Sequence, residues 1–127
     1  IENYIVKRAK KHFEEGSIII CAGGTGNPFS TTDSAAVLRG CELGCDVVLK
    51  ATKVDGIYTS DPTKDIFAKK FDQLSYQDAI AQNLKVMDQT AFTMAKEHGI
   101  PIIVFNMSTP SAIVDVIQGK KIGTLVH

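Results

Sequence analysis

Residues 23–36 read GGTGNPFSTTDSAA, a glycine-rich turn followed by a run of hydroxyls and the start of a helix. Gly23, Gly24 and Gly26 permit positive φ and a close backbone approach, and Thr25, Ser30, Thr31 and Thr32 add hydroxyl groups. Free N–H groups at the head of the following helix favour an anion, which makes phosphate the natural occupant. A tight turn with a threonine cap explains the glycines and one threonine but leaves the other hydroxyls unused. The stretch contains no lysine or arginine, so a phosphate held there takes its balancing charge from elsewhere. The Walker pattern is absent, and Gly24-x-Gly26 lacks the third glycine of a dinucleotide turn. Asp33 sharpens the problem. A carboxylate in the first helical turn suits the helix dipole, yet it repels a nearby phosphate unless it orients a lysine or holds a metal.

A second polar stretch, TKVDGIYTSDPTKD at residues 52–65, follows an apolar run. With Lys50 just before it, it offers Thr52, Lys53, Tyr58 and Asp61. Tyr58 can stack on a base or pack at a rim, and the lysines can meet phosphates or stay solvated. In open α/β sheets ligands bind beyond the carboxyl ends of strands. Both polar stretches leave expected strand ends, so one shared site is expected.

The elements that must position these residues are legible in the hydrophobic pattern. Residues 2–15 read as a helix with Ile5, Ala9 and Phe13 on one stripe and Lys7, Arg8, Lys10 and Lys11 on a solvated face. SIIICA, at 17–22, reads as a strand buried on both faces. A helix over Thr32 to Leu43 closed by Gly44, then a strand DVVLKA at 46–51, completes an expected right-handed βαβ unit. A short strand-like piece precedes a helix from Tyr76, and another helix spans Asp88 to Glu97. PIIVFN at 101–106 is the third apolar strand. TPSAIVDVIQG reads as a short helix with Pro110 in its first turn, and GTLVH as a final edge strand. The class is α/β.

The 127 residues carry 14 basic and 14 acidic side chains. With no net charge, bulk electrostatics does not drive binding to nucleic acid. No apolar run approaches the roughly 20 residues of a membrane span. Cys41 and Cys45 lie four apart with no histidine nearby, so small buried side chains are expected rather than a metal site. Cys21 makes the count odd, and reduced thiols are the default. The chain opens at Ile1 without an initiator methionine or a signal-peptide layout, as the interior of a longer protein does.

Five blocks in order, GTGNPFSTTDSAA, CDVVLKATKVDGIYTSDP, LKVMDQTAFTMA, PIIVFNMSTP and GTLVH, resemble the bacterial uridylate kinases of the amino-acid-kinase superfamily. The resemblance spans nearly the whole chain, and no single block carries it. It implies a mostly parallel sheet flanked by helices, with residues 1–127 forming the C-terminal, nucleotide-binding half of the domain. It also implies transfer of the ATP γ-phosphoryl group to UMP, giving UDP and ADP in pyrimidine nucleotide biosynthesis. Mg²⁺ would accompany ATP, and the enzyme would be a cytoplasmic homohexamer.

By the same resemblance, Thr25, Gly26, Asn27, Pro28, Phe29, Ser30, Thr31 and Thr32 contact UMP, with Asn27, Thr31 and Thr32 near its phosphate. Thr52, Tyr58 and Asp61 match positions that hold ATP. Asp33 matches a carboxylate that organises catalytic lysines, and Asp88 a second acidic position near the phosphates. Ser30 departs from the second phenylalanine of the usual NPFF run. A lysine-bearing opening strand such as LKLSGE and a later GGGN-type loop with an arginine do not occur here. The remaining part of the site, including a phosphate-binding lysine, is therefore expected from the other half, and this chain alone is expected to be inactive. Two other functions fit the same pattern: a binding module without turnover, and an amino-acid kinase acting on a carboxylate.

Overall fold

The computed structural model describes residues 2–127. Its elements run α1 (Val6–Glu14), α2 (Thr32–Leu43), β1 (Val48–Thr52), β2 (Gln73–Leu74), α3 (Tyr76–Ala81), α4 (Gln89–His98), β3 (Ile102–Asn106), α5 (Ala112–Ile117) and β4 (Thr124–Val126). The strands form one sheet in the order β1-β3-β4-β2. β1 lies parallel to β3 and β2 parallel to β4, whereas β3 and β4 are antiparallel. The sheet is thus mostly parallel.

Alternation along β3 explains the layers. Ile102 and Val104 enter a core with Val37 of α2, Val48, Ala91 and Ala95 of α4, and Val126. Phe105 packs on the opposite face with Ala112 and Val116 of α5. The α2 helix can approach β1 closely because Gly40 has no side chain: a Cβ there would stand 3.0 Å from Val48 Cγ2. Tyr76, buried on the first face, donates its hydroxyl to the Ile100 carbonyl at 2.5 Å.

Most of the expected elements are present with shifted ends, and four differ. Residues 17–22 form no strand, and Ile18 and Ile20 are 96% and 88% exposed. An apolar extended run becomes a strand only beside a partner, and among the described residues none lies beside it. The expected first βαβ unit is therefore missing its leading strand; the parallel crossover observed runs from β1 to β3 by way of α3 and α4. β4 is internal rather than an edge, lying between β3 and β2. Gly123 permits that placement, since any Cβ there would fall 2.1 Å from the Val104 carbonyl oxygen. Pro110 precedes the Ser111 cap of α5 instead of lying in the first turn. The expected α1 stripe buries only Ala9, with Ile5 and Phe13 about half exposed.

Candidate functional site

The helices α2 and α4 are each capped by a side chain, of which the threonine cap was expected. Thr31 is the N-cap of α2, its hydroxyl oxygen accepting the Ser34 amide at 3.1 Å. Asp88 is the N-cap of α4 and accepts the Ala91 amide at 3.0 Å. The Thr31 hydroxyl also donates to the Asp88 carboxylate. One threonine and one aspartate thereby close both helix starts and join them to each other. Burial pushes the Asp88 carboxyl up, but the Thr31 and Ser34 hydroxyls and the Ala91 and Thr90 amides outweigh it and hold the group below its usual range.

Asp33, in the first turn of α2, faces a lysine from the neighbouring strand. The Lys50 ammonium lies 2.7 Å from Asp33 Oδ2 and donates to the Val86 carbonyl at 3.0 Å. The Asp88 amide reaches the same Asp33 oxygen at 3.3 Å. Both side chains of the ion pair are about a quarter exposed, 23% for Lys50 and 26% for Asp33, so solvent screens the pair only in part. A lysine near the end of an otherwise apolar strand needs such a partner, and the sequence already grouped Lys50 with the polar stretch that follows it. Asp33 thus faces a cation that lies within this chain.

Lys50 and Asp33 sit in a cleft of about 780 Å³ that also takes in Thr52, Tyr58, Asp61 and Asp88. Tyr58 donates to Asp55 at 2.8 Å, and that bond raises its hydroxyl pKa. Asp61 folds its own turn, accepting the Thr63 hydroxyl at 2.7 Å and the Thr63 amide at 2.9 Å; these bonds lower its pKa. Among the described residues no group of three metal-ligating side chains occurs, and Cys41 and Cys45 pack beside the core as thiols.

The glycine loop stands apart from this cleft. Thr25, Gly26, Asn27, Pro28, Phe29 and Ser30 are not among its walls. Gly23, Gly24 and Gly26 have φ of 86°, 64° and 74°, the left-handed turn that only glycine takes without strain. Phe29 shares that conformation at φ 61° with its ring fully exposed. Thr25 accepts the Asn27 amide at 3.1 Å, and Arg39 of α2 donates to the Gly24 carbonyl at 3.3 Å. Thr32 opens α2 on the exposed side. The loop therefore leads directly into Thr31 and Asp33, with every residue from 23 to 30 except Thr25 exposed.

A cleft beside the carboxyl end of β1, with the starts of α2 and α4 next to it, fits where ligands bind in open α/β proteins. A sequence model described as "Amino acid kinase family" matches residues 1–106. The chain belongs to the amino acid kinase family. It is 48% identical over 125 residues to a uridylate kinase of Ehrlichia canis (strain Jake), covering 98% of this chain and 51% of that protein. The crystal structure of the UMP kinase from Bacillus anthracis superimposes with a TM-score of 0.95 at 41% identity, over 99% of this chain and 52% of that one. The UMP kinase of Ureaplasma parvum gives 0.93 at 38% identity, over 99% and 54%. The chain spans about half the length of these relatives.

Proposed function

We propose that this chain is the nucleotide-binding half of a nucleoside monophosphate kinase that transfers the γ-phosphoryl group of ATP to UMP, giving UDP and ADP. The observation that carries this reading is the Asp33–Lys50 pair, 2.7 Å apart in the cleft beside Thr52, Tyr58 and Asp61. Its support from outside the chain is the likeness to relatives named uridylate kinase and UMP kinase.

Phosphoryl transfer asks little covalent help from a protein; positioning and charge neutralisation dominate. Lys50 supplies a cation where the transferring group gains charge, and Asp33 together with the Val86 carbonyl holds that cation in one orientation. Thr52, Tyr58 and Asp61 take ATP, and the loop from Thr25 to Thr32 takes UMP. Asp88 acts chiefly through Thr31, whose hydroxyl it holds. That bond and the cap use both hydrogen-bonding roles of the Thr31 hydroxyl, which leaves the phosphate to backbone amides and Thr32. Mg²⁺ neutralises phosphate charge when ATP is bound. Asp33 is engaged by Lys50 and Asp88 by Thr31 and Ala91, which fits a metal carried on the nucleotide phosphates rather than in a protein cage.

The exposed Ile18 and Ile20 and the outward-facing glycine loop agree with a site completed by the other half of the domain. In this reading the isolated chain is inactive and the full-length protein is a homo-oligomer. A coupled ADP-release assay on the full-length protein with UMP, CMP, acetylglutamate and aspartate tests it. Release with UMP above all others is expected. Release only with a carboxylate substrate would replace the reading with an amino-acid kinase, and release with none would leave a binding module.

A further inference from the structure

Thr124 is a polar residue in the middle of an apolar environment. It is fully buried in β4 beside Val126, which is also fully buried. A buried hydroxyl is costly unless its bonds are made, and valine would fill the same volume without that cost. Both bonds of Thr124 go to one distant segment. Its hydroxyl oxygen accepts the Ile57 amide at 2.9 Å, and the hydroxyl donates to the Phe71 carbonyl at 2.5 Å.

Ile57 and Phe71 are the two arms of a hairpin base. The Phe71 amide donates to the Ile57 carbonyl at 2.8 Å, the Thr59 amide to the Lys69 carbonyl at 2.9 Å, and Tyr58 pairs antiparallel with Lys70. Beyond this base the hairpin has little core of its own. Ile66 and Phe67 at its far end are 90% and 80% exposed. Its aim over the sheet therefore depends on what grips the base. The grip is close: a Cβ on Gly56 would stand 2.6 Å from the Thr124 hydroxyl.

We infer that Thr124 is a positioning residue that clamps both arms of the hairpin presenting Tyr58 and Asp61 to ATP. The inference rests on the kinase reading for its ligand, though not for the clamp itself. It gives the last strand a role in nucleotide affinity that its distance in sequence from the polar loops conceals.

The test compares Thr124→Val with Thr124→Ser in the full-length protein. Valine keeps the shape and removes both bonds, while serine keeps the hydroxyl. Amide exchange at Ile57, KM for ATP, KM for UMP and kcat are measured for each. Thr124→Val should speed exchange at Ile57 and raise the KM for ATP, each about tenfold, with the KM for UMP and kcat within about twofold. Thr124→Ser should bring the KM for ATP back to within about threefold of wild type. Unchanged exchange at Ile57, equal rises in both KM values, or a serine variant as impaired as the valine one would overturn the inference. If the wild-type protein transfers no phosphoryl group to UMP, the kinase reading fails separately. The clamp is then decided by exchange at Ile57 and by ATP affinity in equilibrium dialysis: about tenfold faster exchange with about tenfold weaker ATP binding in the valine variant alone upholds it, and no change in either overturns it.

Discussion

Replacing Asp33 by asparagine in the full-length protein removes one negative charge and almost no volume. The 2.7 Å bond to Lys50 then loses its charge assistance, and the asparagine NH₂ opposes the ammonium unless the amide turns its oxygen toward it. The pair is about a quarter exposed on each side, so its net loss lies between a surface pair and a buried one, about 1–2 kcal/mol of stability. The kinetic effect should be larger. Lys50 keeps the Val86 carbonyl at 3.0 Å but loses the contact that fixes its direction, and misplacing a catalytic group by about 1 Å costs roughly 10²-fold. We therefore expect kcat to fall about 10²- to 10³-fold, a barrier increase of about 2.7–4 kcal/mol, with both KM values within about threefold. Steady-state kinetics of ADP release and urea unfolding measure the two effects. A double-mutant cycle with Lys50→Met should show strong non-additivity. A kcat near wild type, or additive losses in the cycle, would refute the orienting role of Asp33.

Three further outcomes follow from the same geometry. Asp88→Ala should cost about 1–2 kcal/mol by removing the α4 cap; because Asp88's folded-state pKa is depressed, its contribution is present above about pH 4 and is lost as pH falls through the lower folded value. Urea unfolding of wild type and variant at pH 7 and near pH 3 should show the gap closing, and a constant gap would contradict the assignment. Gly123→Ala should destabilise by about 2 kcal/mol or more, since its Cβ would meet the Val104 carbonyl oxygen at 2.1 Å from a backbone at φ 75°; an unchanged melting temperature would count against an internal β4. In the full-length protein the amides of residues 17–22 should exchange as slowly as those of β1, about 10²-fold or more below the unfolded rate, whereas free exchange would show that the exposed Ile18 and Ile20 find no partner strand.

Local pattern carried much of the fold. The apolar runs of β1 and β3, the Gly44 stop of α2 and the cap at Thr31 are all set by neighbours within a turn or a strand. What could not be read locally depends on pairing between distant residues. β4 looks like an edge from its short, terminal sequence, yet it lies inside the sheet because Gly123 admits it against Val104. Residues 17–22 have the composition of a buried strand, but a strand also needs an adjacent strand. At the candidate site the two polar stretches were expected to share one cleft, with Asp88 added by resemblance; the structure brings Asp33, Thr52, Tyr58, Asp61 and Asp88 together but leaves residues 25–30 outside. Lys50 was legible as a lysine beside the second polar stretch, but not its pairing with Asp33, 17 residues away. The tie between Thr31 and Asp88 spans 57 residues, and no spacing rule reaches that far.

The central claim is that Lys50, held by Asp33, serves phosphoryl transfer to UMP. The most direct measurement is a single-turnover transfer of labelled γ-phosphorus from ATP to UMP by the full-length protein, compared with its Lys50→Met variant. The account predicts labelled UDP from the wild type and a rate at least about 10²-fold lower from the variant, with UMP and ATP still bound. Label transferred equally by both, or to no pyrimidine nucleotide at all, would contradict it.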